Sequence, residues 1–231
     1  MKPSWAAPNT PITYGLWAWY DMSSASYVTI VGGKISVALD RTGAGRHATQ
    51  AVAGNRPVWP GPLLNGLPTS EHTAASSQYL AMPSLAALTS GEIFIVVRIN
   101  ADPPVAGKTA LWYNGTSGLG MTFPHTTGII YDDFGSTTRQ TVGDPASLLT
   151  TPRIYNVSSA PSDWVARLDG VTLFSTATNT VGFAAAPLLG ASSGLANMLD
   201  GVIAEVLPYS RKLTDNERDY NNRYLKAKWG L

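Results

Sequence analysis

Residues 199–231 read LDGVIAEVLPYSRKLTDNERDYNNRYLKAKWGL, and the period of the chain changes inside that stretch. From Val202 to Tyr209 it is almost continuously apolar, the pattern of a strand covered on both faces. Thr214-Asp215-Asn216-Glu217 then has the form of a capping box. There the Thr hydroxyl accepts from the Glu amide and the Glu carboxylate reaches back to the Thr amide, so a helix is predicted from this point. Asp215, Glu217 and Asp219 fill its first turns, and Arg223, Lys226 and Lys228 its last, as the helix dipole favours. Tyr220 and Tyr224, one turn apart, mark the expected core face, and the helix is predicted to stop near Trp229-Gly230.

Upstream, strand signals dominate. In WVARLDGVTLF (164–174) Asp169-Gly170 joins two alternating runs, the requirement of a type I′ hairpin. Asp200-Gly201 is read as a second Asp-Gly turn. IFIVVRI (93–99) is apolar on both faces and β-branched, hence a central strand. Within SYVTIVGGKISVAL (26–39), Gly32-Gly33 supplies the positive φ angles of a two-residue hairpin. YGLWAWY (14–20) is expected to be a buried strand with Leu16, Ala18 and Tyr20 facing one way and Trp17 and Trp19 the other. Further strands are predicted at 78–82, 110–113, 121–123, 129–131 and 153–158. Residues 40–68, rich in Gly, Asn and Pro, form a long excursion that is either a functional or a covering loop. Pro3, Pro8 and Pro11 make residues 1–13 an extended arm suited to docking on a neighbour. Many short strands and one late helix predict an all-β sandwich or jelly roll, residues 14–231 forming one domain.

Composition narrows the partners. Hydrophobic residues at 44% supply a core, while charged residues at 13% leave a surface of Ser, Thr, Asn, Gly and Ala that suits packing into an assembly. The formal net charge is +1 with no run of Lys or Arg, which argues against nucleic acid and anionic membrane as partners. The chain has no cysteine, hence neither disulfides nor thiolate metal sites. No stretch has the length or apolarity of a signal peptide or a membrane span.

Two segments carry a family likeness, residues 19–57 and 199–231. Asp40, Gly43, Gly45, Arg46, His47 and Ala48 follow an early hairpin. Asp200, Gly201, Ile203, Ala204, Glu205 and Val206 lead through Tyr209, Arg211, Leu213 and Thr214 to Trp229-Gly230-Leu231. Together they resemble the two ends of concanavalin A-like (laminin-G-like) superfamily domains, common in bacteriophage structural proteins and bacterial surface proteins. The resemblance implies a jelly-roll sandwich of two antiparallel sheets with a C-terminal helix. Some relatives with this fold are glucanases, so the resemblance leaves function loose, and the expectation that the chain binds or decorates rather than catalyses comes from its chemistry-bearing residues.

Those residues argue against catalysis. Glu occurs only at 71, 92, 205 and 217, too far apart to form the two-carboxylate strand motif of a retaining glucanase. Gly190, Ser192 and Gly194 match a nucleophile-elbow pattern, yet His47, His72 and His125 all precede Ser192, the reverse of that fold's order. Asp132-Asp133 reads as a solvated loop rather than a calcium site, since strand neighbours point to opposite faces and calcium needs further oxygen ligands. Glu205, the carboxylate of an apolar strand, requires a partner. Asp40, Arg46, His47 and Arg211 are expected to form with it a structural polar cluster pinning the 40–68 loop to the sheet. Trp112, Tyr113, His125, Tyr131 and Trp164 are the aromatics available to stack on sugar faces.

The expected function is that of a non-enzymatic virion protein, a capsid decoration or tail-associated module assembled in the host cytoplasm. Its partners would be other virion proteins or copies of itself. The alternative is a carbohydrate-binding, host-recognition domain taking a surface glycan. A glycoside hydrolase is the third reading. No cofactor is expected, and nothing in the sequence supports calcium.

Overall fold

The computed structural model describes residues 7–104, 107 and 109–231 of the chain. The strands are β1 (Tyr20–Asp21), β2 (Val28–Val31), β3 (Lys34–Ala38), β4 (Ala48–Thr49), β5 (Ser70–His72), β6 (Leu80–Ala81), β7 (Gly91–Ile99) and β8 (Trp112–Gly115). They continue with β9 (Ile130–Asp132), β10 (Gln140–Gly143), β11 (Arg153–Ala160), β12 (Asp163–Leu168), β13 (Val171–Thr176), β14 (Phe183–Leu189) and β15 (Gly201–Tyr209), and the helix α1 spans Asp215–Trp229. A seven-stranded sheet runs β1-β15-β7-β11-β12-β13 with β5 also paired to β15, and a six-stranded sheet runs β2-β3-β4-β6-β14-β8. β9 and β10 form a separate pair. Every pairing is antiparallel, so the fold is the all-β sandwich of two antiparallel sheets with a single C-terminal helix.

β7 shows why the seven-stranded sheet is the middle layer. Ile93, Ile95, Val97 and Ile99 enter the core between the sheets, while Phe94 and Val96 enter a second core under the helix. Burying each such side chain contributes about 1.5–3 kcal/mol, so a strand apolar on both faces is stable only where both faces are covered. The Gly32-Gly33 hairpin joins β2 to β3 with φ of 60° and 74°. Asp169-Gly170 joins β12 to β13 with φ of 54° and 92°, the two positive values a type I′ turn requires.

Asp200-Gly201 is not a turn. Gly201 is the first residue of β15, opposite Ile99, where an added Cβ would lie 2.2 Å from the Arg98 carbonyl oxygen. Its role is close backbone approach. The segment 14–20 also departs from simple alternation. The amides of Trp17 and Ala18 both donate to Pro208 O, a bulge that resets the phase. Leu16 therefore joins Trp19 under the helix, while Trp17, Ala18 and Tyr20 enter the core between the sheets. The predicted strand at 121–123 forms only a single bridge, Thr122 to Tyr131.

The capping box is present: Thr214 Oγ1 accepts from Glu217 N, and Thr214 N donates to Glu217 Oε2. The face of α1 packed on the sheet carries Arg218, Asn221, Tyr224, Leu225 and Trp229; Tyr220 lies off it, only partly buried. Residues 1–6 of the expected arm lie outside the described residues. Its last part docks on this chain's own helix and strand: Ile12 N donates to Asn221 Oδ1 at 2.9 Å and Tyr209 OH to Ile12 O at 2.8 Å.

Candidate functional site

Just after β3 the chain curls around a carboxylate. Asp40 accepts from the amides of Trp19 (3.1 Å), Thr42 (2.9 Å) and Arg46 (3.1 Å), and from the Thr42 hydroxyl at 2.8 Å. Burial pushes the Asp40 carboxyl up, but these donors outweigh it and hold the group below the usual carboxylate range. His47 Nδ1 accepts from Asp40 N, and Tyr20 OH donates to Arg46 O. Asp40, Arg46 and His47 thus do form a local polar cluster, and its effect is to fix the 40–47 loop in one shape.

That loop holds two guanidinium groups beside Trp17 and Trp19. Arg41 is sandwiched between the rings of Trp19 (3.7 Å) and Tyr27 (3.8 Å) and pairs with Asp21. Arg46 donates to Trp17 O at 2.7 Å, with its guanidinium 5.2 Å from the Trp17 ring centre. Thr13, Leu16, Trp19, Arg41, Thr42, Ala44 and Arg46 line a pocket of about 330 Å³. Among the described residues no Asp or Glu lines it. A larger cleft of about 450 Å³ lies between Leu63, Pro152 and the end of α1. Unlike the smaller pocket it carries a carboxylate, Asp169, which pairs with Arg153 at 3.0 Å, while Lys226 donates to Asp169 O at 3.2 Å.

Glu205 is buried, but not with the partners expected for it. A bulge in β15 between Ile203 and Glu205 turns the side chain toward α1. There it accepts from Trp19 Nε1 (2.6 Å), Tyr224 OH (2.7 Å), Trp229 Nε1 (2.8 Å) and Lys228 Nζ (2.8 Å). Burial raises its carboxyl above the usual range, Lys228 pulls it back, and Asp21 adds to the rise. Arg46 and His47 belong to the Asp40 loop, and Arg211 pairs with Glu217 while donating to Tyr14 O. Glu205 therefore pins the helix to the sheet and not the 40–68 loop.

The expected sugar-stacking aromatics divide. Trp112 and Trp164 are fully buried core residues, their indoles donating to Asp132 Oδ1 and Phe134 O. Tyr113, His125 and Tyr131 are half-buried. His125 and Tyr131 meet edge to face at 5.7 Å, with Arg139 4.8 Å over the Tyr131 ring. Asp132-Asp133 is not a solvated loop, since both side chains are buried. Asp132 accepts from Trp112 Nε1, Phe134 N and Tyr155 OH, and burial, with Asp133 beside it, pushes its carboxyl up to about 7. Among the described residues no group of three or more His, Cys, Asp or Glu is placed to hold a metal ion.

Ser192 is buried and its Oγ accepts from Asn197 N, the geometry of a turn. Ser70 Oγ and His72 Nε2 are 3.2 Å apart, a spacing that suits a nucleophile and its base. Both are fully buried, and the Ser70 proton goes to Ile203 O. Trp19, Arg41 and Thr42 line the pocket although none is among the residues expected to bind a ligand. The available signal was the pair of arginines, at 41 and 46, bracketing a Gly-Ala-Gly turn immediately after Asp40.

No family model and no curated protein matches the sequence. Solved structures do match. The Trypanosoma rangeli sialidase in complex with 2,3-difluorosialic acid superposes with a TM-score of 0.64 at 15% identity, over 98% of this chain and 35% of that one. A GH54 α-L-arabinofuranosidase superposes with a TM-score of 0.67 at 13% identity, over 93% of this chain and 63% of that one. The likeness is one of fold. The chain spans about a third of the sialidase and under two thirds of the arabinofuranosidase, both carbohydrate-related proteins by name.

Proposed function

We propose that the chain is a non-catalytic module that binds a saccharide in the pocket beneath the 40–47 loop. The observation that carries this reading is the preorganised wall of Arg41 and Arg46, with no carboxylate among the described residues lining the cavity beside them. Donors fixed before binding lose little entropy when a ligand arrives, and guanidinium N–H groups suit the clustered oxygens of a sugar. A glycosidase of the common kind needs two carboxyl groups flanking the scissile bond. Asp21, Asp40 and Glu205 near this pocket are buried and already saturated with donors. The fold shared with carbohydrate-acting proteins supports a sugar as the ligand.

A glycan array with the wild-type chain and an Ala44→Trp variant, whose indole fills the pocket, tests the proposal. Specific binding by the wild type that is lost in the variant is expected. Binding retained by Ala44→Trp and lost in Tyr131→Ala would move the site to the His125, Tyr131 and Arg139 cluster and overturn it.

An assembly role, on the surface of a virus particle, is the second reading. It is motivated by the resemblance of the chain's two ends to concanavalin A-like domains, which occur in bacteriophage structural and bacterial surface proteins, and by strand β2. That strand is an edge of the six-stranded sheet with Ile30 and Val31 exposed, an open row of backbone groups able to pair with a neighbour. Mass spectrometry of purified particles should then find the chain, and its absence from them would exclude this role.

A further inference from the structure

We infer that the pocket selects a carboxylate-bearing sugar over a neutral one, an inference that rests on the saccharide-site reading above. The charges around the pocket are sorted by depth. Asp21, Asp40 and Glu205 are all buried, at 1%, 6% and 0% exposure. The Arg41 side chain keeps 24% of its surface and Arg46 is half-buried. A ligand entering the cavity therefore meets the positive ends first.

The two guanidinium groups are also unevenly committed. Arg41 spends one N–H on Asp21, and its plane is fixed between Trp19 and Tyr27, so its remaining edge is held rather than free to swing. Arg46 spends one N–H on Trp17 O and has no carboxylate partner among the described residues. A guanidinium carries five donors in a planar fork that matches a carboxylate through two parallel hydrogen bonds. Arg46 thus offers the bidentate partner a carboxylate needs, and Arg41 a second, rigid charge. Leu16 and the edge of Trp19 supply the apolar surface against which a sugar ring can rest. At about 330 Å³ the cavity lies at the small end of ligand sites, so it fits a terminal sugar better than the middle of a chain.

The test is isothermal titration of the full chain with methyl β-D-glucuronide, methyl β-D-glucoside and glucose 6-sulfate. The glucuronide is expected to bind about 10-fold tighter than the glucoside, a difference of about 1.4 kcal/mol, and to weaken as salt is raised. Arg46→Gln should remove the preference. Ala44→Asp, which sets a competing carboxylate on the pocket wall, should abolish glucuronide binding. Melting curves on both variants establish that the fold survives. Equal affinity for glucuronide and glucoside would overturn the inference while leaving a saccharide site standing. Tighter binding of the sulfate ester would overturn it in favour of charge alone. If none of the three sugars binds, the saccharide-site reading falls as well.

Discussion

Asp21 and Glu205 sit directly opposite each other on β1 and β15, two buried carboxylates in cross-strand register, and the Lys228 ammonium stands between them at 2.7 and 2.8 Å. Like charges so placed repel, and it is the last turn of α1 that neutralises them. Arg41 pairs with the same Asp21 oxygen as Lys228, so two cations and two anions link the pocket loop to the helix. The helix is thus joined to the sheet by charge as well as by Tyr224, Leu225 and Trp229.

Glu205→Gln tests that joint. Removing one partner of a buried pair costs about 3 kcal/mol or more, so the melting temperature should fall by about 10 °C. A second substitution, Lys228→Met, should deepen the loss, because the ammonium still neutralises the buried Asp21 carboxylate at 2.7 Å. An unchanged melting temperature in the single variant would show that the network contributes nothing.

Trp112→Ala and Trp164→Ala should act on stability rather than on recognition. Each indole is fully buried and each hydrogen-bonded, so truncation is expected to cost about 3–5 kcal/mol. Chemical denaturation measures this, and a variant with native stability but lost ligand binding would return these residues to a binding surface.

Gly201→Ala should break the start of the central pairing, since its Cβ would overlap the Arg98 carbonyl. Hydrogen exchange should then speed up at Asn100, whose amide donates to Asp200 O, and along the β7–β15 pairing beside it. Wild-type protection at those amides would show that the strands can separate without loss.

Two buried groups set opposing pH dependences. His72, its imidazole lowered to about 4 by burial from an ordinary 6.5, is neutral when folded. The unfolded chain binds the extra proton between those values, so this contribution to stability rises with pH across the window from 4 to 6.5. Asp132, raised by burial to about 7 from 3.8, has the reverse sign: the folded state holds the extra proton, and stability falls as pH rises from about 4 to 7. Melting of Asp132→Asn beside wild type at pH 4.5 and 7.5 separates them. The variant should gain on the wild type as pH rises; a constant difference would mean that Asp132 does not titrate in this range.

What the chain's order reveals is local chemistry. The capping box, the two paired-residue hairpins and the doubly apolar β7 each depend on neighbours in sequence, and each forms as read. What it hides are the shifts of phase. The bulges at Trp17-Ala18 and Ala204-Glu205 reverse which face a side chain takes, and both arise from pairing with distant strands. For that reason Glu205 meets Trp19, Tyr224, Lys228 and Trp229 instead of Arg46, His47 or Arg211. The burial of Trp112, Trp164 and Asp132 has the same origin, since isolated short strands carry no record of which sheet will cover them. The pocket itself was not legible: Asp40, Arg46 and His47 stood out only as a structural cluster, of which Arg46 alone lines the cavity, and Leu16 and Trp19 reach it only through the fold.

The most direct test of the pocket as the binding site is amide and indole chemical-shift mapping during titration of the intact chain with methyl β-D-glucuronide. The backbone amides of Thr42, Ala44 and Arg46 and the Trp19 indole N–H should move together and saturate. Shifts confined to His125, Tyr131 and Arg139, with the 40–47 loop unmoved, would contradict it.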